Sequence, residues 1–224
     1  MTAYGSQAMC ARLARVMMRR PGPSLLAADP ATWHYGPTFD AGKAVEQYAA
    51  LATLVEESGA EILWMEDTGD GLADAMFTQD PSFVTDRGAV ILRMGKTLRL
   101  GEGDLHEAAY RRAGIPVLGR LQAPGTVESG DCVWLDAKTL VIGRGIRSNQ
   151  AGIDQVQEIL RPLGVTISEL QNTARFRLAG AVPAKVLADM LDFSVATFEN
   201  YARLSGSTRG DYPALRDTTY RRSS

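Results

Sequence analysis

The chain has 224 residues, of which 45% are apolar and 22% are charged. This length and composition predict a globular protein with one full domain, or one and a fraction, and a core of its own. The formal net charge of −2 gives no support to a nucleic-acid or acidic-membrane partner, and two cysteines with two histidines are too few for a disulfide framework or a metal site.

Signals for a membrane or for export are also missing from the sequence. No apolar run approaches the length of a membrane span, and Met1–Arg20 lacks the unbroken apolar core of a signal peptide. We therefore predict a cytoplasmic protein with no membrane partner, no metal and no cofactor. Charge is unevenly distributed, because residues 171–224 carry eight Lys or Arg against five Asp or Glu.

The first forty residues give weak signals. Leu13–Met18 could form a strand or a short helix, and the segment that follows is rich in turn-forming residues around Trp33 and Tyr35. His34 has no second ligand or base near it in the sequence, so we interpret it as a surface loop histidine.

From Lys43 onward the pattern becomes regular. Apolar residues at helical spacing predict a helix from Lys43 that ends at Gly59, and Glu61–Met65 predicts a buried strand. A loop rich in Asp and Gly follows, and then Ser82–Thr85 and Ala89–Leu92 predict a hairpin. Helix, strand, loop and hairpin make one predicted unit.

The same order of elements then repeats. The second unit consists of a helix at about Asp104–Ala113, a strand at Ile115–Leu118 and a hairpin of Cys132–Leu135 with Thr139–Ile142. A third unit begins with a helix capped by Ser148 or Asn149 and a strand at Val165–Ile167, but no loop and hairpin follow. The glycines that end the helices recur about every fifty residues, which is typical of a repeat architecture.

Acidic side chains stand in the loop that precedes each hairpin. Asp80 precedes the first hairpin, and Glu128 and Asp131 precede the second. A guanidinium is planar with its N–H donors arranged as a fork, so a site for it needs carboxylates that accept paired hydrogen bonds. The two loops therefore predict a site for a cation, although each carboxylate could instead merely cap a turn.

Four stretches carry a resemblance to a known family: Phe77–Pro81, Arg93–Glu102, Ala123–Asp131 and Ile142–Asn149. Their order and spacing resemble those of the dimethylargininases and related amidinotransferase-like enzymes, which modify guanidino groups. The resemblance covers roughly residues 15–167 and stops before the family's catalytic histidine and cysteine would appear.

The resemblance implies an α/β fold. The family forms a five-unit α/β propeller with the substrate in its central channel, and this chain would supply about two and a half units of that pentein-like ring. The remaining core would be open, so a partner chain or homo-oligomer that covers it, an altered packing or poor stability is expected.

The resemblance also implies roles for five residues. Asp80 and Glu128 would bind the cationic end of an arginine-like small molecule, with Asp131 supporting the loop. Arg99 and Arg147 align with arginines that bind the carboxylate of the substrate. Without the resemblance, each arginine would be interpreted as a solvated surface charge.

Catalysis in the family needs a cysteine thiolate that attacks the guanidino carbon and a histidine that moves protons. Cys132 follows Asp131, whose charge raises a thiol pKa, and it begins an apolar strand, so we predict a buried structural cysteine. His106 matches no family role. We therefore predict no catalytic residue here, and a chain that is inactive alone although its ancestral activity was hydrolysis or amidino transfer.

The composition changes from Gln171. Lys185–Leu191 and Val195–Leu204 predict two helices that resemble the helix-turn-helix of recombinase-type proteins, with Asp192 where the turn usually has glycine. We predict two domains, residues 1–170 and 171–224, and no nucleic-acid binding. The alternative from another class is a non-enzymatic fusion product whose tail binds DNA or a recombinase partner.

Overall fold

The computed structural model describes residues 4–170, together with Lys185 and Glu199. The helices of residues 4–170 are α1 Pro23–Leu26, α2 Pro30–Trp33, α3 Ala41–Glu57, α4 Glu102–Arg112 and α5 Gln150–Leu160. The strands are β1 Arg15–Arg19, β2 Glu61–Met65, β3 Ser82–Thr85, β4 Gly88–Ile91, β5 Val117–Arg120, β6 Cys132–Asp136, β7 Thr139–Gly143 and β8 Thr166–Leu170. The predicted helical tail lies outside the described residues, so the tail and the domain boundary before it stay predictions.

Hydrogen bonding sorts the strands into three sheets, with the orders β1-β2, β3-β4-β5 and β6-β7-β8. The pair β1/β2 is parallel, whereas β3/β4 and β6/β7 are antiparallel hairpins. In the second sheet β4 also pairs in parallel with β5, the strand that follows helix α4. The repeated unit of the structure is therefore hairpin, helix and strand.

This grouping corrects the predicted composition of the unit. The sequence pattern joined the strand Glu61–Met65 to the hairpin after it, but that strand pairs with β1 instead. The physical reason is that parallel strands need a long crossover connection, which a helix between them supplies. Helix α4 connects β4 to β5, and α5 connects β7 to β8, so each hairpin belongs with the strand beyond its next helix.

Helix α3 shows how local sequence sets an element. Asp40 Oδ1 accepts a hydrogen bond from the Lys43 N–H at 3.0 Å, and the chain leaves the helix through Gly59, whose φ of 82° favours glycine. Tyr48 and Ala52 pack against Met18 of β1. The opening segment, which the sequence allowed to be a strand or a helix, therefore forms a strand beneath α3.

Strand β5 begins two residues later than predicted. The N–H of Ile115 is still hydrogen-bonded to the carbonyl of Tyr110 in α4, at 2.9 Å. Pro116 has no N–H to donate to a sheet. The strand therefore starts at Val117, whereas the two hairpins lie where the sequence pattern predicted them.

The edge of β1 that faces away from β2 is partly covered by side chains. The Met17 carbonyl and the Arg19 N–H lie on this edge, because they alternate along the strand with the groups bonded to β2. Thr78 Oγ1 donates to the Met17 carbonyl at 2.8 Å, and the Arg19 N–H donates to Tyr48 Oη at 3.2 Å.

The largest core lies between the two three-stranded sheets and α5. Its buried members are Phe83, Val90, Leu92, Leu121, Val127, Cys132, Trp134, Leu140, Ile142, Ile153, Val156, Leu160 and Val165. The rings of Phe83 and Trp134 meet edge to face, with centroids 6.0 Å apart. Because both hairpins contribute to one core, the loops that precede them are held side by side.

The α/β fold class is confirmed by this architecture. Closure of the units into a five-unit ring, and a partner chain that completes it, stay predictions. Within the described residues, no helix combines the length and the apolar character needed to cross a bilayer.

Candidate functional site

The two acidic loops contact each other. The Ser129 N–H donates to the Asp80 carbonyl at 2.9 Å, and Gln79 Nε2 donates to Ser129 Oγ at 3.2 Å. Gly130 lies so close to Asp80 that a Cβ added to the glycine would be 3.1 Å from Asp80 Oδ1. The carboxylate of Asp80 therefore lies against the loop that carries Glu128.

Glu128 is a buried carboxylate paired with a cation from the surface. Its Oε1 accepts a hydrogen bond from the Gly95 N–H at 3.1 Å, and its Oε2 accepts one from Arg147 Nη1 at 3.1 Å. The side chain of Glu128 is 4% exposed, whereas that of Arg147 is 53% exposed. The cation that neutralises Glu128 can therefore move away into solvent without unpacking the core.

Asp131 contacts the loop and the start of α5. Ser148 Oγ donates to Asp131 Oδ2 at 2.6 Å and accepts a hydrogen bond from the Glu128 N–H at 3.2 Å. The cap residue Asn149 also pairs with Thr126, through N–H to carbonyl at 2.9 Å and through Oδ1 to the Thr126 N–H at 3.1 Å. These bonds tie the Glu128 loop to α5, and the supporting role of Asp131 stays a prediction.

Arg99 is buried between two carboxylates. Its Nε and Nη2 donate to the two oxygens of Glu102 at 2.7 and 2.8 Å, and its Nη1 donates to Asp80 Oδ2 at 2.8 Å. The side chains of Arg99 and Glu102 are 3% and 0% exposed. A solvated surface arginine is therefore not what the structure contains.

The charges of this group are strongly coupled. Burial raises the pKa of Glu102 to about 7, against the hydrogen bonds and charge of Arg99, which lower it. Burial alone would lower the pKa of Arg99, but Glu102 and Asp80 outweigh it and raise that pKa, so the guanidinium stays charged. A ligand carboxylate could reach Arg99 only by displacing one of these carboxylates, and the predicted contact of Arg99 with the ligand stays a prediction.

A further acidic residue, Asp74, was missed by the sequence reasoning. Its Oδ2 accepts a hydrogen bond from Lys96 Nζ at 2.7 Å, and its Oδ1 accepts one from Tyr35 Oη at 2.8 Å. Burial and Asp74 raise the pKa of Tyr35, so the phenol remains a donor. The available signal was a single acid inside the otherwise apolar run Leu72–Phe77.

Cys132 and His106 lie in settings that oppose catalysis. Burial and, to a smaller extent, Asp131 raise the pKa of the Cys132 thiol to about 12, so it is not a thiolate at neutral pH. His106 is fully buried, with Nδ1 2.8 Å from Ser82 Oγ. Burial and two nearby arginines lower the pKa of His106 to about 3.

No metal site emerges from the part of the chain that the structure describes. There, no group of three or more His, Cys, Asp or Glu side chains could hold a metal ion. His34 is exposed at the end of α2, as the sequence predicted for a surface loop histidine.

Three comparisons with known proteins agree with one another. The family model described as arginine deiminase matches residues 69–169. The N(G),N(G)-dimethylarginine dimethylaminohydrolase of Streptomyces coelicolor is 32% identical over 170 residues, which are 76% of this chain and 64% of that protein. The protein of the same name from Pseudomonas aeruginosa is 30% identical over 151 residues, covering 67% of this chain and 58% of that protein.

Solved structures show the same relationship. A variant of the P. aeruginosa enzyme complexed with citrulline has a TM-score of 0.58 at 28% identity, covering 72% of this chain and 63% of that one. A dimethylarginine dimethylaminohydrolase adduct with S-methyl-L-thiocitrulline has a TM-score of 0.59 at 29% identity, with the same two coverages. The N-terminal domain of a cyanobacterial arginine dihydrolase, at 22% identity and a TM-score of 0.58, shows the fold alone.

The matched proteins form one class, the α/β enzymes that modify guanidino groups, and the described part of this chain shares their fold. Within that class, the N-terminal part of this chain belongs to the dimethylargininase-like superfamily, which confirms the resemblance seen in its four motifs. The chain spans less than two thirds of the length of these relatives.

Proposed function

We propose that residues 4–170 form the ligand-binding part of a guanidino-group hydrolase or amidinotransferase site. In this proposal Asp80 and Glu128 bind the cationic end of an arginine-like molecule. The likeness to dimethylarginine dimethylaminohydrolases, one of them complexed with citrulline, supports this chemical class of ligand.

The observation that carries the proposal is the pair of Glu128 with Arg147. A guanidinium nitrogen already lies 3.1 Å from the buried carboxylate, and it belongs to a side chain that is half exposed. A ligand guanidinium has the same planar fork of donors as the side chain of Arg147. It can therefore replace Arg147 at Glu128 without leaving a buried charge unpaired.

Asp80 adds a second acceptor beside Glu128. Its Oδ2 is bonded to Arg99, whereas its Oδ1 lies on the side of Gly130, in the Glu128 loop. The hydrogen bond from Ser129 holds the two loops together. In this arrangement the carboxylates of Asp80 and Glu128 can bind one cation from two adjacent loops.

We expect the chain alone to release no citrulline from arginine or dimethylarginine. The site described above holds carboxylates but no thiolate, because the pKa of the buried Cys132 is raised to about 12. A citrulline assay on the wild type, on Cys132→Ser and on the exposed-site control Cys10→Ser checks this expectation. Turnover that disappears only in Cys132→Ser would contradict it and would make Cys132 a nucleophile.

We expect arginine and dimethylarginine to bind no more tightly than about millimolar, which corresponds to ~4 kcal/mol. Solvent weakens partly exposed charge pairs toward ~1 kcal/mol each. Glu128→Gln and Asp80→Asn keep the side-chain shape but remove the charge, so each should weaken binding by about fivefold, the ratio for ~1 kcal/mol. Calorimetry or NMR titration measures the dissociation constants.

The matched control for these variants is Glu61→Gln, which removes a carboxylate that is 57% exposed and lies in β2. It should leave ligand binding unchanged, and thermal melting of each variant checks that it is folded. Equal affinity of the wild type, Glu128→Gln and Asp80→Asn would show that the two carboxylates only cap turns, and the proposed function would then be wrong.

A further inference from the structure

Lys96 makes three contacts that are typical of a bound ammonium ion. Its Nζ donates to Asp74 Oδ2 at 2.7 Å and to the Trp33 carbonyl at 3.0 Å, and it lies 4.8 Å from the centroid of the Trp33 ring. A carboxylate, a carbonyl and an aromatic face are the groups that attract an ammonium most strongly. We call Asp74 and Trp33 together the ammonium cage.

The cage is largely removed from water. The side chains of Asp74 and Lys96 are 9% and 21% exposed, so the ion pair is not a solvated surface contact. Tyr35 donates to the other oxygen of Asp74, and the Trp33 ring packs beside Ala73. Loss of the ammonium would leave a buried carboxylate with one neutral partner, which is energetically costly.

Lys96 also joins three parts of the chain. Trp33 belongs to residues 23–39, which contain α1 and α2 and which we call the cover segment. Asp74 lies in the 3-10 turn Ala73–Met76, and Lys96 itself follows Gly95, whose N–H donates to Glu128. The ammonium therefore fastens the cover segment and the turn that carries Asp74 to the loop whose Gly95 contacts Glu128.

We propose that Lys96 is a tethered internal ligand whose ammonium occupies the cage of Asp74 and Trp33, fastens the cover segment and excludes cationic ligands from Asp74. The inference rests on the proposed function for its consequence: Lys96 directly follows Gly95, whose N–H donates to Glu128, so a cationic arginine-like molecule that bound Glu128 and also extended to Asp74 would compete with Lys96. Lys96 is thereby a self-inhibiting contact and not a residue of the reaction.

The test uses n-butylammonium chloride, which has the alkyl ammonium of lysine and no guanidinium. In Lys96→Met the cage is empty, so we expect a lowered melting temperature that butylammonium restores. We also expect the variant to bind butylammonium about tenfold or more tightly than the wild type, in which the tethered amine of Lys96 competes at high effective concentration. Sodium chloride at equal ionic strength is the salt control. The double variant Lys96→Met with Asp74→Asn should not respond to butylammonium.

A second measurement is hydrogen exchange of the backbone. Lys96→Gln keeps a hydrogen-bond donor but no charge, and we expect faster exchange in residues 23–39 and unchanged exchange in helix α5. A folded Lys96→Met that responds to butylammonium no more than the wild type would overturn the inference, as would an unfolded Lys96→Met that butylammonium does not refold.

The outcomes for the inference and for the proposed function can be separated. Rescue by butylammonium without any binding of arginine to the wild type or to Lys96→Met would support the internal ligand and contradict the proposed function. Arginine binding that depends on Glu128 and Asp80 without any butylammonium rescue would do the reverse.

Discussion

Replacement of Arg99 by methionine is expected to lower the free energy of unfolding by about 3–5 kcal/mol, the cost of breaking a buried ion pair by removing one partner. Arg99 is bonded to both oxygens of Glu102 and to one oxygen of Asp80. Methionine fills much of the space but leaves a fully buried carboxyl group without its cation. In a chain of this size the loss corresponds to a fall of roughly 6–20 °C in Tm.

Urea denaturation and thermal melting measure this effect. The matched control is Arg15→Met, because Arg15 pairs with Glu61 at 2.9 Å while both side chains are exposed, and such a pair contributes at most about 1 kcal/mol. Adding Glu102→Gln to Arg99→Met should recover part of the loss, since the unpaired charge is removed. A loss no larger than that of Arg15→Met would show that the Arg99 network does not stabilise the fold.

Replacement of Gly152 by alanine is expected to destabilise the protein by about 1–3 kcal/mol or more, the cost of forcing extra atoms into a packed interior. Gly152 lies in the first turn of α5, where alanine has the higher helix propensity. A Cβ at this position would lie 2.3 Å from the carbonyl oxygen of Thr126. That contact is with backbone, which cannot rotate away, so the clash outweighs the gain in propensity.

Gly42→Ala is the matched control for Gly152→Ala. Gly42 is also near the start of a helix, α3, but its Cβ would meet only the Asp40 side chain, at 3.3 Å. We expect that variant to be neutral or to gain up to about 1 kcal/mol. Because Thr126 lies in the Glu128 loop, Gly152→Ala should also weaken any arginine binding. Equal stabilities of Gly152→Ala and Gly42→Ala would mean that α5 does not pack on this loop as described.

Elements with strong local signals could be predicted from the sequence. Helix α3 was predicted from Lys43 to Gly59 and spans Ala41–Glu57, because helical spacing and a left-handed glycine after the helix are properties of a few neighbouring residues. The motif loops could be recognised for the same reason, since Asp80 and Glu128 stand in short stretches rich in turn-forming residues.

Features that depend on distant partners could not be predicted in this way. The strand Glu61–Met65 has the same pattern whether it pairs with β1 or with a later hairpin, so the sequence could not show that it pairs with β1 and not with the hairpin of its predicted unit. Arg99 shows the same problem for a side chain, because only the position of Asp80 and the burial of Glu102 distinguish it from a surface arginine.

The covered edge of β1 has a consequence for association between copies of the chain. An unprotected edge strand presents free N–H and carbonyl groups that recruit strands from other molecules into mixed sheets and aggregates. On β1 two of these groups are already occupied by Thr78 and Tyr48. An incoming strand would have to break both bonds before it could pair along β1, so this edge of the short parallel sheet resists the addition of strands from other molecules.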